Sequence, residues 1–210
     1  MTIVTILDNV RKWCDENICD KTTMKLPDDN VNDQGYTPVY VKPSAFVLYL
    51  PAKDRLPPKV PAPIPSLCVQ LMEGKDELIG NIRRLSIRLC LAAWNPGDHG
   101  QELYMPHKES ALIGGHFYRK WTGDEAKEHY KRSAEGWRDV WNFADIALSC
   151  IETAEYMAGL RLVKESGITY GPFVDDGTIW DYYPYWHSWI AFTLECGLVR
   201  KAPDVYKDLL

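Results

Sequence analysis

The stretch 181–195, DYYPYWHSWIAFTLE, combines an aromatic entry with a long run of alternating side chains. From Tyr185 onward the residues alternate, so that every second side chain points to the same side of an extended strand. Aromatic and β-branched residues suit a half-buried strand, and Pro184 stands at its start, where a missing N–H is tolerated. We therefore predict a strand of an antiparallel sheet, with Phe192 and Leu194 in the core. The side chains on its apolar face are Trp186, Ser188, Ile190, Phe192, Leu194 and Cys196.

Three further segments show the pattern of strands. In 66–73 the apolar residues alternate, and in 82–94 an inward apolar row alternates with Arg84, Ser86, Arg88 and Cys90. The connection GKDELIG is predicted to be a turn, so these two strands form a hairpin. A short strand is predicted at 160–163. The inward row of the second strand is Leu85, Ile87, Leu89, Leu91 and Ala93.

Two segments have helical periodicity. An amphipathic helix starts at the N-terminus and ends near Asn17, and the strongest helix covers 137–158, with Gly159 as its C-cap. The small residues Ala144 and Ala147 allow this helix to lie close to a sheet. The fold class is therefore α+β, a mainly antiparallel sheet with a long helix packed across it, plus the N-terminal helix and an inserted region. The apolar stripe of the long helix is Trp137, Val140, Trp141, Ala144, Ala147, Leu148, Ile151 and Ala154.

The remaining segments read as connections within one domain, 1–210. Segment 36–50 is extended, with Pro43 marking an edge or a bulge. The proline-rich segment 51–65 is predicted to be a polyproline-like connector. The segment 95–133 is an insertion that begins with the turn signal NPGDHG, and Thr122 is predicted to cap a helix within it.

Composition narrows the class of protein. With 46% hydrophobic and 25% charged residues, the chain is of the globular type. Its net charge of -5 argues against a protein that grips nucleic acid. It shows neither a membrane-spanning apolar run nor a secretory leader, so we expect a protein made in the cytoplasm.

No catalytic, cofactor-binding or metal-binding motif is recognisable, so we expect no enzyme, no cofactor and no metal. Asp175 and Asp176 fit a turn better than a pair of catalytic acids. Cys14 and Cys19 have no matching C-x-x-C elsewhere. The other cysteines fall within predicted strands or helices, as buried free thiols do: Cys68, Cys90, Cys150 and Cys196. Four histidines lie in the insertion without ligand spacing: His99, His107, His116 and His129.

Four blocks in order carry a family resemblance: PSLCVQLMEGKDE (65–77), IRRLSIRLCLAAW (82–94), GWRDVWNFADIALSCI (136–151) and YYPYWHSWIAFTLEC (182–196). With these blocks the chain resembles the tail terminator and tail completion proteins of long-tailed bacteriophages and prophages. The resemblance covers about half of the chain. The insertion 95–133 departs from the pattern, because related chains have a much shorter loop there.

The resemblance implies a virion structural protein that forms a ring, commonly a homohexamer, on the head-proximal end of the tail tube. Such a ring stops tube polymerisation and offers the docking surface for the head-tail connector. Its implied partners are further copies of itself, the tail tube protein and the connector or neck proteins, with assembly in the host cytoplasm. DNA passes through the ring without specific binding, which an acidic chain suits. Segments 51–65 and 95–133 are candidate contacts with neighbouring subunits or with the connector.

Two alternatives remain open at this stage. One is another head-tail neck or tail-associated component. The other is a small enzyme or a carbohydrate-binding module, which requires a concave pocket with a convergent acid. The residues that would line that pocket are Tyr183, Tyr185, Trp186 and Trp189.

Overall fold

The computed structural model describes residues 2–28, 38–50, 63–97, 111–113, 116–118, 124, 134–179 and 183–198. Within these ranges the chain is mixed α/β. The elements in chain order are α1 (Ile3–Asn17), β1 (Met24–Lys25), β2 (Tyr40–Val41), β3 (Ser44–Val47), β4 (Ser66–Glu77), β5 (Ile82–Trp94), β6 (Ala111–Ile113), β7 (His116–Tyr118), α2 (Arg138–Thr153), β8 (Tyr156–Met157), β9 (Leu160–Leu162), β10 (Thr169–Pro172), β11 (Val174–Asp175), β12 (Thr178–Ile179) and β13 (Tyr185–Gly197).

Seven strands form one curled, mostly antiparallel sheet in the order β3-β4-β5-β13-β9-β8, and β10 also pairs with β13. Only the pairing of β3 with β4 is parallel among the described strands of this sheet. The strands predicted at 66–73, 82–94, 160–163 and in the stretch after Pro184 all belong to it. Strand β13 pairs with β5 on one side and with β9 and β10 on the other, so it lies inside the sheet.

The pairing of β13 with β5 runs without a break from Tyr185, opposite Trp94, to Gly197, opposite Ile82. The predicted inward row of β5 is confirmed, since each of its members is at most 1% exposed. On β13, Ile190 and Leu194 are fully buried. Two long strands with matched apolar faces thus form the centre of the sheet.

Both helices contribute to the same core as this apolar face. Helix α1 contacts β3 and β4, and α2 contacts β5 and β13. The N-terminal helix ends at Asn17 as predicted, and Thr2 caps its start by accepting a hydrogen bond from the Thr5 N–H at 3.2 Å.

The prediction for the second helix was wrong at its C-terminal end. Helix α2 ends at Thr153, because Ala154 is extended and the following residues form the β8–β9 hairpin. Ala158 and Gly159 have φ angles of 54° and 81°, the left-handed pair that a two-residue hairpin turn requires. Gly159 therefore turns a hairpin and does not cap the helix.

The predicted stripe of α2 is also rotated relative to the observed buried face. Trp137 is 43% exposed and Leu148 only half-buried, whereas Phe143 and Cys150 are buried. The apolar arc of this helix is wide, so periodicity alone does not fix which of its residues lie at the centre of the buried face. The observed buried residues of α2 are Val140, Phe143, Ala144, Ala147, Cys150 and Ile151.

Other boundaries also differ from the predictions. The predicted strand 66–73 continues to Glu77, so the turn is shorter than GKDELIG. Strand β10 was not predicted. Pro43 precedes the edge strand β3, in agreement with its predicted edge position, and Asp176 with Gly177 forms the expected turn, between β11 and β12. The proposed Thr122 cap and most of 51–65 and 95–133 lie outside the described residues.

Candidate assembly surfaces

The face of the sheet that turns away from the helices carries small side chains near the start of β4. There Ser66 lies opposite Ala92 and Cys68 opposite Cys90, while His187 of β13 lies on the other side of Ala92. Because core-facing residues alternate with these in each strand, the five side chains share this outer face. Beside the small side chains of Cys68, Cys90 and Ala92 the sheet surface has a depression, which His187 also lines.

This depression is a cavity of about 240 Å³, which we call the sheet cavity. Tyr49 and Leu50, after β3, contribute to its wall, as does Phe173 between β10 and β11. The Arg88 guanidinium carbon lies 5.9 Å from the centre of the Phe173 ring, within cation–π range. The lining residues are Tyr49, Leu50, Cys68, Gln70, Arg88, Cys90, Leu91, Ala92, Phe173 and His187.

The polar groups of the sheet cavity are engaged with one another or uncharged. Gln70 Oε1 accepts hydrogen bonds from Arg88 Nε and from Cys90 Sγ, both at 3.2 Å. Burial raises the pKa of the Cys68 thiol to about 11 and lowers the pKa of His187 below its ordinary value. At neutral pH the Cys68 thiol is therefore protonated and the imidazole neutral. The cavity is suited to an apolar group.

The turn between β4 and β5 presents an exposed apolar surface. Leu78 is 63% exposed and Ile79 is 102% exposed, which means that Ile79 has essentially no contact with the rest of the described chain. We call Leu78, Ile79 and Gly80 the hairpin tip. The sequence pattern of GKDELIG predicts only a turn here and no exposed surface. The missed signal is two adjacent large apolar residues in a turn whose neighbours are charged.

Ion pairs brace the strands that carry the hairpin tip. Arg83 forms a bidentate pair with Asp76, with both N···O distances at 2.7 Å. Further along β5, Arg84 Nε lies 3.4 Å from Glu195 Oε2, and Arg161 Nε lies 2.7 Å from Glu195 Oε1. These contacts link β4, β5, β13 and β9 side by side and hold the turn in a defined direction.

We expect Glu195 to give a pH-dependent contribution to stability. The hydrogen bond from Arg161 lowers the pKa of Glu195 below its ordinary value of 4.5. A carboxyl group whose pKa is lowered by folding stabilises the folded state at pH values above its ordinary pKa. This stabilisation is lost as the pH falls through the lowered pKa. Glu195→Gln should therefore lower Tm by up to about 3 °C at pH 7, and the difference from the native chain should vanish in acid.

Thermal melts of both proteins across the acid range measure this difference directly. Glu165→Gln is the matched control, because Glu165 is 71% exposed and its oxygen lies 3.6 Å from Arg161, so its removal should change Tm little at any pH. A Glu195→Gln difference that stays constant from neutral to acid pH contradicts the prediction.

The aromatic side chains of β13 divide between the two faces of the sheet. Trp186 packs against the core, while Tyr185 and Trp189 point to the outer face. Trp189 Nε1 donates to the Pro172 carbonyl oxygen at 2.8 Å, and its ring covers Gly171. Neither the sheet cavity nor the polar cavity described below is lined by the four residues of the aromatic-pocket hypothesis. The structure therefore uses Trp186 and Trp189 in packing.

Asn95 joins the ends of four segments. Its side chain donates to Asp139 Oδ2 at 2.8 Å and accepts from Lys25 Nζ at 2.9 Å. Its carbonyl oxygen accepts from Trp186 Nε1 at 2.8 Å, and Gly136 passes so close that a Cβ there would lie 2.5 Å from that oxygen. Asn95 thus ties β5, β13, β1 and the start of α2 together.

A polar cavity of about 280 Å³ lies beside this joint. Lys25 and Asp139, its charged lining residues, both bind Asn95. We therefore interpret it as part of the joint. Its lining residues are Thr22, Thr23, Met24, Lys25, Tyr40, Asp139, Asn142 and Phe143.

The remaining candidate residues are dispersed. His99, His107 and His129 lie outside the described residues, and His116 lies in β7. All six cysteines are free thiols. Cys14, Cys19, Cys68 and Cys150 are buried, whereas the prediction of burial was wrong for Cys90 and Cys196, which are half-buried. Within the described ranges, no three His, Cys, Asp or Glu side chains are grouped as metal ligands. In the same ranges, no helix has the length and apolar character needed to cross a membrane.

Comparison with known proteins yields no relative: the chain matches no protein-family model, and a search of the curated proteins gives no significant match.

Proposed function

We propose that this protein is a structural subunit of a phage virion that caps the head-proximal end of the tail tube as a ring. In this role it stops tube polymerisation and provides the docking surface for the head connector. The observation that carries the proposal is where the four resembling blocks fall. They occupy β4, β5, most of α2 and β13. Strands β4, β5 and β13 are neighbours in the sheet, and α2 contacts β5 and β13.

The resemblance therefore covers one contiguous structural unit, and its blocks are not scattered over the chain. The proposal includes the arrangement expected of such a subunit, with α2 lying across the sheet, which its contacts with β5 and β13 support. It also includes action through interfaces without catalysis. The insertion 95–133 is then an elaboration between β5 and α2.

The proposed partners are further copies of the chain, the tail tube protein and a connector or neck protein. A homohexameric ring is the expected form, because a closed ring leaves no free subunit edge. The net charge of -5 suits a ring through which DNA passes, since a basic surface would bind the phosphates. The proposed location is the virion neck, after assembly in the host cytoplasm.

Removal of the gene from its phage is expected to produce tails of abnormal length without attached heads. An unterminated tube keeps adding subunits, and the connector lacks its docking surface. Electron microscopy of lysates measures both defects, and expression of the native chain from a plasmid should restore normal virions. Tails of unchanged length would contradict the terminator proposal.

The same experiment separates the proposal from its nearest alternative. A neck or tail-associated component that does not cap the tube should leave tail length normal while heads and tails accumulate separately. Fully infectious, normally joined particles in the absence of the gene would contradict both structural functions.

A further inference from the structure

The hairpin tip is an apolar projection whose outermost residue, Ile79, has essentially no contact with the described part of its own chain. Single exposed apolar residues are common on protein surfaces, but Leu78 and Ile79 are adjacent and stand at the end of a braced hairpin. The charges that flank the tip are paired, Asp76 with Arg83 and Glu77 with Arg84. An exposed apolar group held in a fixed direction suits insertion into a pocket on another surface.

The sheet cavity is an apolar recess of matching chemistry. Its volume of about 240 Å³ is below the roughly 300–1,000 Å³ of pockets that bind drug-sized ligands. The Arg88 guanidinium is already engaged by Gln70 and Phe173, and the buried Cys68 thiol is neutral. The cavity therefore fits one or two aliphatic side chains better than a charged or extended molecule.

The tip and the cavity lie at opposite ends of the same strands. Cys68 marks the cavity end of β4, and Leu78 follows the other end ten positions later. At about 3.3 Å per residue, ten positions separate them by roughly 33 Å. The tip of a subunit cannot reach its own cavity, but it can reach the cavity of another copy.

We propose that Ile79 of one copy inserts into the sheet cavity of a second copy. An apolar projection and an apolar recess at different places on one chain form a heterologous, head-to-tail contact, and such contacts close into a ring when the rotation between copies allows it. This inference rests on the ring assembly proposed above. It identifies the two surfaces through which neighbouring subunits meet.

Thiol trapping between two single variants tests the contact. One full-length protein carries Ile79→Cys, and the other carries Tyr49→Cys at the 74% exposed wall of the cavity. The two are mixed at high concentration, oxidised mildly with a copper–phenanthroline catalyst and separated on a non-reducing gel. We expect a covalent dimer in the mixture, reversed by reductant, and little dimer from Tyr49→Cys alone. Because the free thiols Cys68 and Cys90 line the cavity, any dimer from Ile79→Cys alone should be joined from position 79 to one of these two cysteines, which peptide mapping of the dimer identifies.

Ile179→Cys is the matched control for Ile79→Cys, because Ile179 is also an isoleucine beside a hairpin turn and is 61% exposed. The native chain, with its six cysteines, supplies the background under the same conditions. Equal dimer yields from Ile179→Cys and Ile79→Cys would indicate random collision and overturn the proposal. It would also be overturned if the mixture formed no dimer, or if Ile79→Cys alone formed a dimer joined between position 79 of both copies, since that indicates a symmetric contact.

A substitution that keeps the fold gives a second measurement. Ile79→Asp should weaken self-association by about ten- to a hundredfold in sedimentation experiments, because the contact buries one large aliphatic side chain. Ile179→Asp should leave it unchanged, and both variants should melt like the native chain.

The two proposals can fail separately. Rings that form on tail tubes while Ile79→Asp has no effect and no cross-link appears would contradict this contact and leave the capping function in place. A trapped head-to-tail dimer together with normal tails in the absence of the gene would contradict the capping function alone.

Discussion

Ala147→Asp is expected to leave the protein unfolded at neutral pH. Ala147 is fully buried on α2, in the core that this helix shares with β5 and β13. An aspartate there would place a carboxylate in an apolar core with no cation built to receive it, at a cost of at least about 4–5 kcal/mol. This is comparable to the whole free energy of unfolding of many domains, about 5–15 kcal/mol. Far-UV circular dichroism and thermal melts measure the outcome.

The neighbouring substitution Leu148→Asp is the control for the phase of the helix. Leu148 is half-buried, so the carboxylate of an aspartate at this position can reach water. The variant should fold, with its free energy of unfolding lowered by about 1–3 kcal/mol. The apolar stripe predicted from the sequence includes Leu148, and on that basis alone Leu148→Asp should unfold the chain. A cooperative melt for Ala147→Asp and none for Leu148→Asp would contradict the observed orientation of α2.

Gly136→Ala should destabilise the protein by about 2–4 kcal/mol. A Cβ at this position would lie 2.5 Å from the Asn95 carbonyl oxygen and 2.8 Å from Trp186 Nε1. The two atoms are joined by a hydrogen bond of 2.8 Å, from Trp186 Nε1 to the Asn95 carbonyl oxygen. The added methyl group would therefore force apart the segments that carry this bond. Because a backbone oxygen cannot rotate away as a side chain can, the joint between β5, β13 and the start of α2 must move. Urea unfolding gives the loss of free energy.

Gly197→Ala is the matched control, because a Cβ there would meet no atom within 4 Å. Its free energy of unfolding should stay within about 0.5 kcal/mol of that of the native chain. If both glycine variants unfold at the same urea concentration, the close approach at Gly136 is not a constraint on the fold.

The central strands could be predicted because their signal is local. Leu85, Ile87 and Leu89 alternate with charged or small residues, and a period of two assigns each side chain to a face without knowledge of the neighbouring strand. The structure confirmed that face in β5 and β13. The same reasoning located α1, whose apolar positions recur at the helical period.

The end of the second helix could not be predicted in the same way. Residues 154–158 have acceptable helical character, but Tyr156 and Met157 pair with Arg161 and Leu160 in a hairpin. Their backbone groups therefore have partners that only a turn at Ala158 and Gly159 makes available. A propensity gain of a few tenths of a kcal/mol per residue does not outweigh this pairing, which packs Met157 into the core.

For the candidate surfaces, local alternation predicts which residues point to the outer face, whereas only the pairing of the strands shows which of them lie close together. Alternation assigned Arg88 and Cys90 to the outer face of β5, because that assignment depends only on neighbours in the chain. The grouping of Cys68 with His187 in one cavity depends on strand order and register. Strand order and register arise from contacts between segments far apart in the sequence, which no local pattern encodes.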